Sequence, residues 1–478
     1  MSTSSNKYSS ERVNQAARRI DLRFQPYVLD SNPFPDEVAL GIPGFPKGRI
    51  FPGSPTESIV FSEDLRKNET DALNKKIEDF TYSREPNILW VCGKRGVGKT
   101  TLLQYFFKKP LLTPELESKV AYWYITYDHR DDVKFLINCN KYLLEQLNEN
   151  LKKENVDNSI YLDAIVGAIF NFLTHEKFEA FKSYLTGSFS DEDLRSLKTG
   201  IKENGIDYFK NLIETVDDEG LINIVKLVQI IQELGILNVD KTFLDKFIAP
   251  FIKAKLQNSF LNEDKTRSFI YPKSKAEQET VLVNTIKFLT SGAFSHFILV
   301  LDQIDLAWIK SKTAYKRKEN FFNDLSALIR QLSDSGFILI LAVMDDTEKE
   351  LKDYISKNPE ARRIASNEKN YLQVPEITTR AQVEALLKEY LNKNPFRRKH
   401  LTDLEFAADK AGTLDELFPF DQTACEELIK RSDRTTNNIL SLAYSCLEIC
   451  AEKLDQETNP DSSVYRTITA SVVKEVLS

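Results

Sequence analysis

A chain of 478 residues, 42% hydrophobic and 28% charged, has ordinary globular composition and room for two or three domains. Its net charge of −7 excludes a surface that attracts nucleic acid everywhere, so any such contact has to be a local patch. Cys92, Cys139, Cys425, Cys446 and Cys450 form no CxxC pair, and His129, His175, His296 and His400 sit far apart. That spacing argues against a metal site or a disulfide framework and fits a reducing cytosol.

The N-terminal Met1-Ser2-Thr3-Ser4-Ser5-Asn6 lacks the apolar core of a signal peptide, and no apolar run is long enough to span a bilayer. A soluble cytoplasmic protein without membrane contact is expected. Residues 1–35 are polar, with Arg12, Arg18, Arg19 and Arg23 among few acids, and read as a mobile arm, a partner-binding strap or a solvated tail. Pro35, Pro43, Pro46, Pro52 and Pro55 then forbid long helices, so residues 1–60 are assigned as an irregular N-terminal arm. A helix is predicted from Glu69 to Phe80.

The first core strand is predicted at Ile88–Cys92. It runs into Gly93-Lys94-Arg95-Gly96-Val97-Gly98-Lys99-Thr100 and then into a helix opening with Thr101-Leu102-Leu103. Glycines at this spacing let successive backbone amides curl around one anion, and the following helix adds the positive end of its dipole. Lys99 is placed to reach the outer phosphates of a nucleotide, and the Thr100 hydroxyl to ligate Mg²⁺. Val120–Thr126 is a second strand, with a helix predicted over Asp128–Leu151. The first part of a nucleotide-binding core is therefore assigned to 61–151.

Residues 152–290 carry few strand signals and several segments of helical period, including Leu194–Ile201 and Leu221–Leu234. They are assigned as an all-helical insertion. A buried strand returns at Phe297–Leu301 and ends in Asp302-Gln303-Ile304-Asp305. Such a strand, covered on both faces, holds its terminal acid rigidly at the sheet's C-terminal edge. Asp302 is accordingly the expected Mg²⁺-side carboxylate, acting through water. The apolar stripe Phe321, Phe322, Leu325, Leu328, Ile329, Leu332 predicts a helix that Gly336 ends. Phe337–Val343 and Tyr371–Pro375 complete five strands, closing the core at 291–377. Helices at Gln382–Leu391, Gln422–Lys430, Thr436–Glu452 and Thr467–Leu477 assign 378–478 as a helical lid. Cys446 and Cys450, one helical turn apart, read as core packing.

This order of strands and motifs resembles the AAA+ and STAND group of P-loop ATPases, with the nearest likeness to origin-recognition and replication-initiator types and bacterial AAA-type ATPases. The resemblance spans roughly 60–150 and 295–478 and is most specific at Gly93–Thr100. It implies an α/β fold with a five-stranded parallel sheet, ATP and Mg²⁺ as cofactors, and self-association or a protein partner. It also implies roles for further residues. The family's catalytic Glu usually follows the Mg²⁺ acid directly; here that position is Gln303, which can orient water but cannot take its proton. Asp305 is the substitute acid. Asp345 matches the sensor-1 position, where the family prefers Asn or Thr, and is also a ready helix cap. Arg362 and Arg363 fall where relatives supply an arginine finger to a neighbour's nucleotide. Arg434 matches the sensor-2 arginine at the start of the lid helix, without the glycine-rich turn that precedes it in relatives.

Lys310, Lys312, Lys316, Arg317 and Lys318, interleaved with Trp308 and Tyr315, crowd the loop expected after the Mg²⁺ strand and suit gripping DNA phosphates and stacking on bases, although charge runs also line ordinary solvated faces. Arg397-Arg398-Lys399-His400 is a second basic run. No guanine-reading Asn-Lys-x-Asp follows a core strand, which favours adenine nucleotide. The expected function is a slowly hydrolysing ATP switch, in DNA transactions or anti-phage defence; the alternative is a non-hydrolysing, ATP-bound interaction subunit.

Overall fold

The computed structural model describes residues 21–34, 61–108, 120–126, 190–200, 218–233, most of 235–245, 275–291, 294–302, 314–344, 370–397, 416–457 and 463–476, with a few single positions between. The helix predicted over Asp128–Leu151 lies outside these residues.

Five strands make one all-parallel sheet: β1 (Asn87–Gly93), β2 (Val120–Thr126), β3 (His296–Asp302), β4 (Phe337–Met344) and β5 (Tyr371–Gln373). They lie in the order β2-β3-β4-β1-β5. The central strands are apolar runs because both faces are covered, and every residue of β3 is buried. On one face Leu89 and Val91, Ile298 and Val300, Ile338 and Ile340 pack against Leu102, Leu103 and Phe106 of helix α2 (Lys99–Lys108). Leu73 and Ile77 of helix α1 (Glu63–Thr81) join them. Ser62 caps α1, so this helix starts earlier than the predicted Glu69.

Register carries the three central strands to a common edge. Gly93 of β1 pairs with Met344 of β4, and Leu341 of β4 pairs with Leu301 of β3, one residue before Asp302. Since all strands run the same way, the loop after β1 and the acid ending β3 share the C-terminal edge, roughly two strand spacings or about 10 Å apart.

Helix α3 (Asp218–Glu233) takes in the predicted segment from Leu221 to Glu233, and α4 (Lys275–Ser291) precedes β3. Helix α5 (Ala314–Gln331) buries Phe321, Phe322, Leu325 and Leu328 as its stripe predicts, and Leu332 is buried just beyond its end. Gly336 does not end it: α5 stops at Gln331, and Gly336 closes the turn into β4, its amide bonding the Arg84 carbonyl at 2.8 Å. Lys316, Arg317 and Lys318 are part of α5 rather than of a loop.

The C-terminal helices α6 (Arg380–Lys393), α7 (Gln422–Arg431), α8 (Thr436–Asp455) and α9 (Ala470–Val476) share a second core, which also contains Phe24, Tyr27, Leu29 and Phe34. Residues 21–34 are thus a strap built into the helical core rather than a free tail. The Tyr27 hydroxyl donates to the Tyr465 carbonyl at 2.8 Å, and the Asn394 side-chain amide to Asp30 at 2.8 Å. Arg397, read above as part of a basic run, is fully buried; it donates to the Phe418 carbonyl at 2.7 Å and the Glu416 carbonyl at 2.8 Å. Cys425, Cys446 and Cys450 are buried free thiols, pushed up to about 12 by that burial. Among the described residues no helix is long and apolar enough to cross a membrane.

Candidate functional site

The loop between β1 and α2 turns on glycine. Gly96 has φ +84° and Gly98 φ +98°, backbone conformations that an L side chain reaches only at a cost. Gly93 needs the absence of a side chain for a different reason: a Cβ there would stand 2.7 Å from the Val374 carbonyl. Val374, just after β5, closes that side by donating its amide to the Cys92 carbonyl at 2.8 Å. Lys94 pairs with Glu376 on the same exit segment.

The outward-facing carbonyls of this loop are taken by the lid. The Asn437 amide, in the first turn of α8, donates to the Gly96 carbonyl at 3.0 Å. The Thr436 hydroxyl donates to the Val97 carbonyl at 3.1 Å. First-turn amides of a helix have no intrahelical acceptor, so the loop acts as part of the cap of α8, beside the Thr435 side chain, which accepts from Asn438. A trans peptide carries its carbonyl and amide on opposite sides. With the Gly96 and Val97 carbonyls turned to the lid, the Val97 and Gly98 amides point away from it, and the Val97 amide donates to the Lys94 carbonyl at 3.5 Å.

Lys99 and Thr100 open α2, with Lys94 and Arg95 exposed, Val97 buried and Thr101 half-buried. The Lys99 ammonium folds back on the loop, donating to the Gly93 carbonyl at 2.6 Å and the Lys94 carbonyl at 3.0 Å. Asp302 ends β3 at 2% exposure. A hydroxyl and a carboxylate on one sheet edge are hard oxygen donors, the set that suits Mg²⁺.

Of the other predicted residues, Arg434 stands at the junction of core and lid. Its carbonyl accepts from the Ile377 amide at 2.9 Å, and its side chain is exposed. The glycine turn missing from the sequence is present in the backbone: Asp433 (φ +49°) and Arg434 (φ +60°) both adopt the left-handed conformation a glycine would supply. Arg362 is exposed, and its guanidinium bonds the Ser356 carbonyl of its own segment. Gln303, Asp305, Lys310, Lys312, Asp345 and Arg363 lie outside the described residues.

One participant escaped the sequence reading. Arg66 of α1 is 4% exposed and inserts between loop, lid and β5 exit. Its signal was its spacing: Arg66 and Glu69 continue the buried stripe of Leu73 and Ile77. A charged pair three residues apart reads as an exposed ion pair unless that phase is noticed.

A parallel sheet in this order, with a glycine loop feeding a helix beside an edge carboxylate, defines a P-loop NTPase core with helical regions. The family model described as "AAA domain" matches residues 85–208, covering the loop, β2 and the segment up to 208. The match crosses residue 152, where the sequence reading begins its insertion, and stops before β3. Asp302 joins the matched segment through the strand pairing of β2 with β3, in which Thr126 faces Asp302. No curated protein matches the chain. The match and the parallel sheet together support an AAA-type P-loop ATPase, a nucleotide-binding class that generally uses ATP with Mg²⁺.

Proposed function

We propose that this chain is a cytoplasmic ATP-dependent switch of the AAA+/STAND type, closest to origin-recognition and initiator-like ATPases, which hydrolyses slowly and signals through its lid. The observation that carries the reading is the pair of bonds from the first turn of α8 to the loop, the Asn437 amide to the Gly96 carbonyl and the Thr436 hydroxyl to the Val97 carbonyl. A loop that wraps a triphosphate re-aims those same peptides, so the lid senses the event through groups it already holds.

In this reading the amides from Gly96 to Thr100 and the α2 N-terminus bind the phosphates. Lys99 exchanges its present carbonyl acceptors for phosphate oxygens. Thr100 and, through water, Asp302 hold Mg²⁺, which when bound neutralises phosphate charge. Arg434 reports from the lid, and Arg362 or Arg363 of a second copy completes the site. Gln303 orients the attacking water, Asp305 takes its proton, and Asp345 stands at the sensor-1 position. Calorimetry with Mg·ATP tests the core of this scheme: micromolar binding is expected, weakened about 100-fold in Lys99→Ala, the loss of a charge-assisted bond of about 3 kcal/mol. Equal heats from both proteins reject it. Light scattering tests the assembly step, and a monomer in every nucleotide state rejects that step.

Gln303 directly after Asp302 favours a second reading, a subunit that binds ATP without turning it over. Phosphate release that is sizeable in the parent and vanishes in Asp305→Ala excludes it. A DNA-handling role rests on Lys310, Lys312, Lys316, Arg317 and Lys318; charge reversal at 316–318 should abolish DNA affinity if that role holds.

A further inference from the structure

Arg66 binds three segments that are distant in sequence. One terminal nitrogen donates to the Val97 carbonyl of the phosphate loop at 2.6 Å and reaches the Thr436 hydroxyl of α8 at 3.4 Å. The other donates to the Pro375 carbonyl on the β5 exit at 3.1 Å. The carboxylate that accompanies it is Glu69 at 3.9 Å. The planar fork carries its donors on separate terminal nitrogens and so spans acceptors on opposite sides of one buried point, whereas the three N–H groups of an ammonium all radiate from a single nitrogen.

Burial opposes this placement, pulling the guanidinium below its ordinary value, with Glu69 pushing the other way. A buried cation held by an ion pair as long as this one is retained at a cost in solvation. The acceptors it satisfies are the ones that join core to lid. Val97 and Thr436 are also bonded to each other, at 3.1 Å, so loop, lid and arginine form a closed triangle of contacts. The backbone of Arg66 (φ −117°, ψ 17°) departs from helical geometry inside α1, which sets it apart from the regular turns around it.

We infer that Arg66 is the positioning residue that transmits occupancy of the phosphate loop to the lid, coupling the Val97 peptide to the N-terminus of α8 and to the β5 exit. The inference rests on the ATP reading above and adds the route by which the bound state leaves the site. Arg66 touches no reacting atom in this scheme. When the Val97 peptide turns about a phosphate, its carbonyl drags or releases the guanidinium, and the hydroxyl of Thr436 follows.

Hydrogen exchange of the amides at 435–440, with and without Mg·ATP, reads this coupling. In the parent, ATP changes protection there by about tenfold or more. Arg66→Met should lose that response. Arg66→Lys keeps the charge but not the fork: measurable Mg·ATP binding by calorimetry with an α8 response as weak as in Arg66→Met is expected. Thr436→Val, which removes a single hydroxyl, should reduce the response while leaving the fold intact, and it carries the test with Arg66→Lys if Arg66→Met fails to fold. A full response in Arg66→Lys overturns the positioning role, since charge alone then suffices. A parent that binds Mg·ATP without any change at 435–440 overturns it while the ATP reading stands. A parent that binds no nucleotide overturns both.

Discussion

The two hydrophobic cores of this molecule are assembled in opposite ways. The sheet core is centred on β1, β3 and β4, whose residues are nearly all buried, each a short continuous apolar run. The lid core is made of amphipathic helices between Ile377 and Val473 and is completed by Phe24, Tyr27, Leu29 and Phe34, more than three hundred residues away in the chain. The first presents a rigid edge on which a phosphate loop and a carboxylate are fixed. The second is tied to that edge by polar contacts through Gly96, Val97, Arg66 and Ile377 and by Leu65 of α1, which packs against it. A rigid edge and a lightly tied lid are what a nucleotide-controlled hinge requires, because a few hydrogen bonds of about 1 kcal/mol each are within reach of a ligand's differential binding.

The contrast can be broken most severely at the strap. Phe24→Ala empties a fully packed site in the lid and should cost about 3–5 kcal/mol. Limited proteolysis should then cut first within 377–476 and leave the sheet protected. Simultaneous loss of the sheet would show that the two cores unfold as one. Gly96→Ala attacks the tie instead. Its Cβ would stand 3.2 Å from Asn437 Cβ at φ +84°, so about 1–2 kcal/mol of strain falls on the loop and the cap of α8 together. Mg·ATP affinity measured by calorimetry should fall about tenfold.

A smaller effect, of opposite sign, sharpens the same comparison. Asp433→Gly supplies the residue that a left-handed turn prefers and should raise lid stability by up to about 1 kcal/mol in denaturant titrations. If it stabilises the fold but weakens ATP binding, the turn is held in a strained form for the site's use. The smallest expected effect is electrostatic. Glu427 accepts from Arg431 at 2.9 Å, with Lys474 and Lys430 nearby, and these cations hold its carboxyl below the ordinary 4.5. A depressed carboxylate contributes stability that is fully present above its unfolded value and is lost as pH falls through the folded one. Parent and Glu427→Gln should therefore differ in lid stability at pH 7 and converge as the pH falls from the ordinary carboxylate value through the depressed folded one.

Much of the architecture was legible because period and burial coincide. Strands covered on both faces leave unbroken apolar runs, and the α5 stripe leaves every third or fourth residue apolar. The glycine loop was legible because its spacing answers a backbone need that few other residues meet. The strap was not, since Phe24 and Tyr27 sit in a polar segment with no period to announce a partner. The end of α5 was misplaced for a similar reason: Gly336 marks a turn, but the helix had already stopped at Gln331. Arg66 was hidden because a charged residue on an apolar stripe is read by its charge rather than by its phase.

By itself, the chain's order of residues determined the sheet, the phosphate loop and the acid that ends β3, since each follows from local period, backbone freedom and hydrophobic burial. Only the tertiary structure decided that the loop's outward carbonyls cap the lid helix, that a buried guanidinium joins three remote segments, and that Asp433 and Arg434 take the conformation of glycine. Each depends on contacts between segments far apart in sequence, whose acceptors are mostly main-chain carbonyls; every residue carries the same carbonyl, so the sequence alone does not announce which of them will be met.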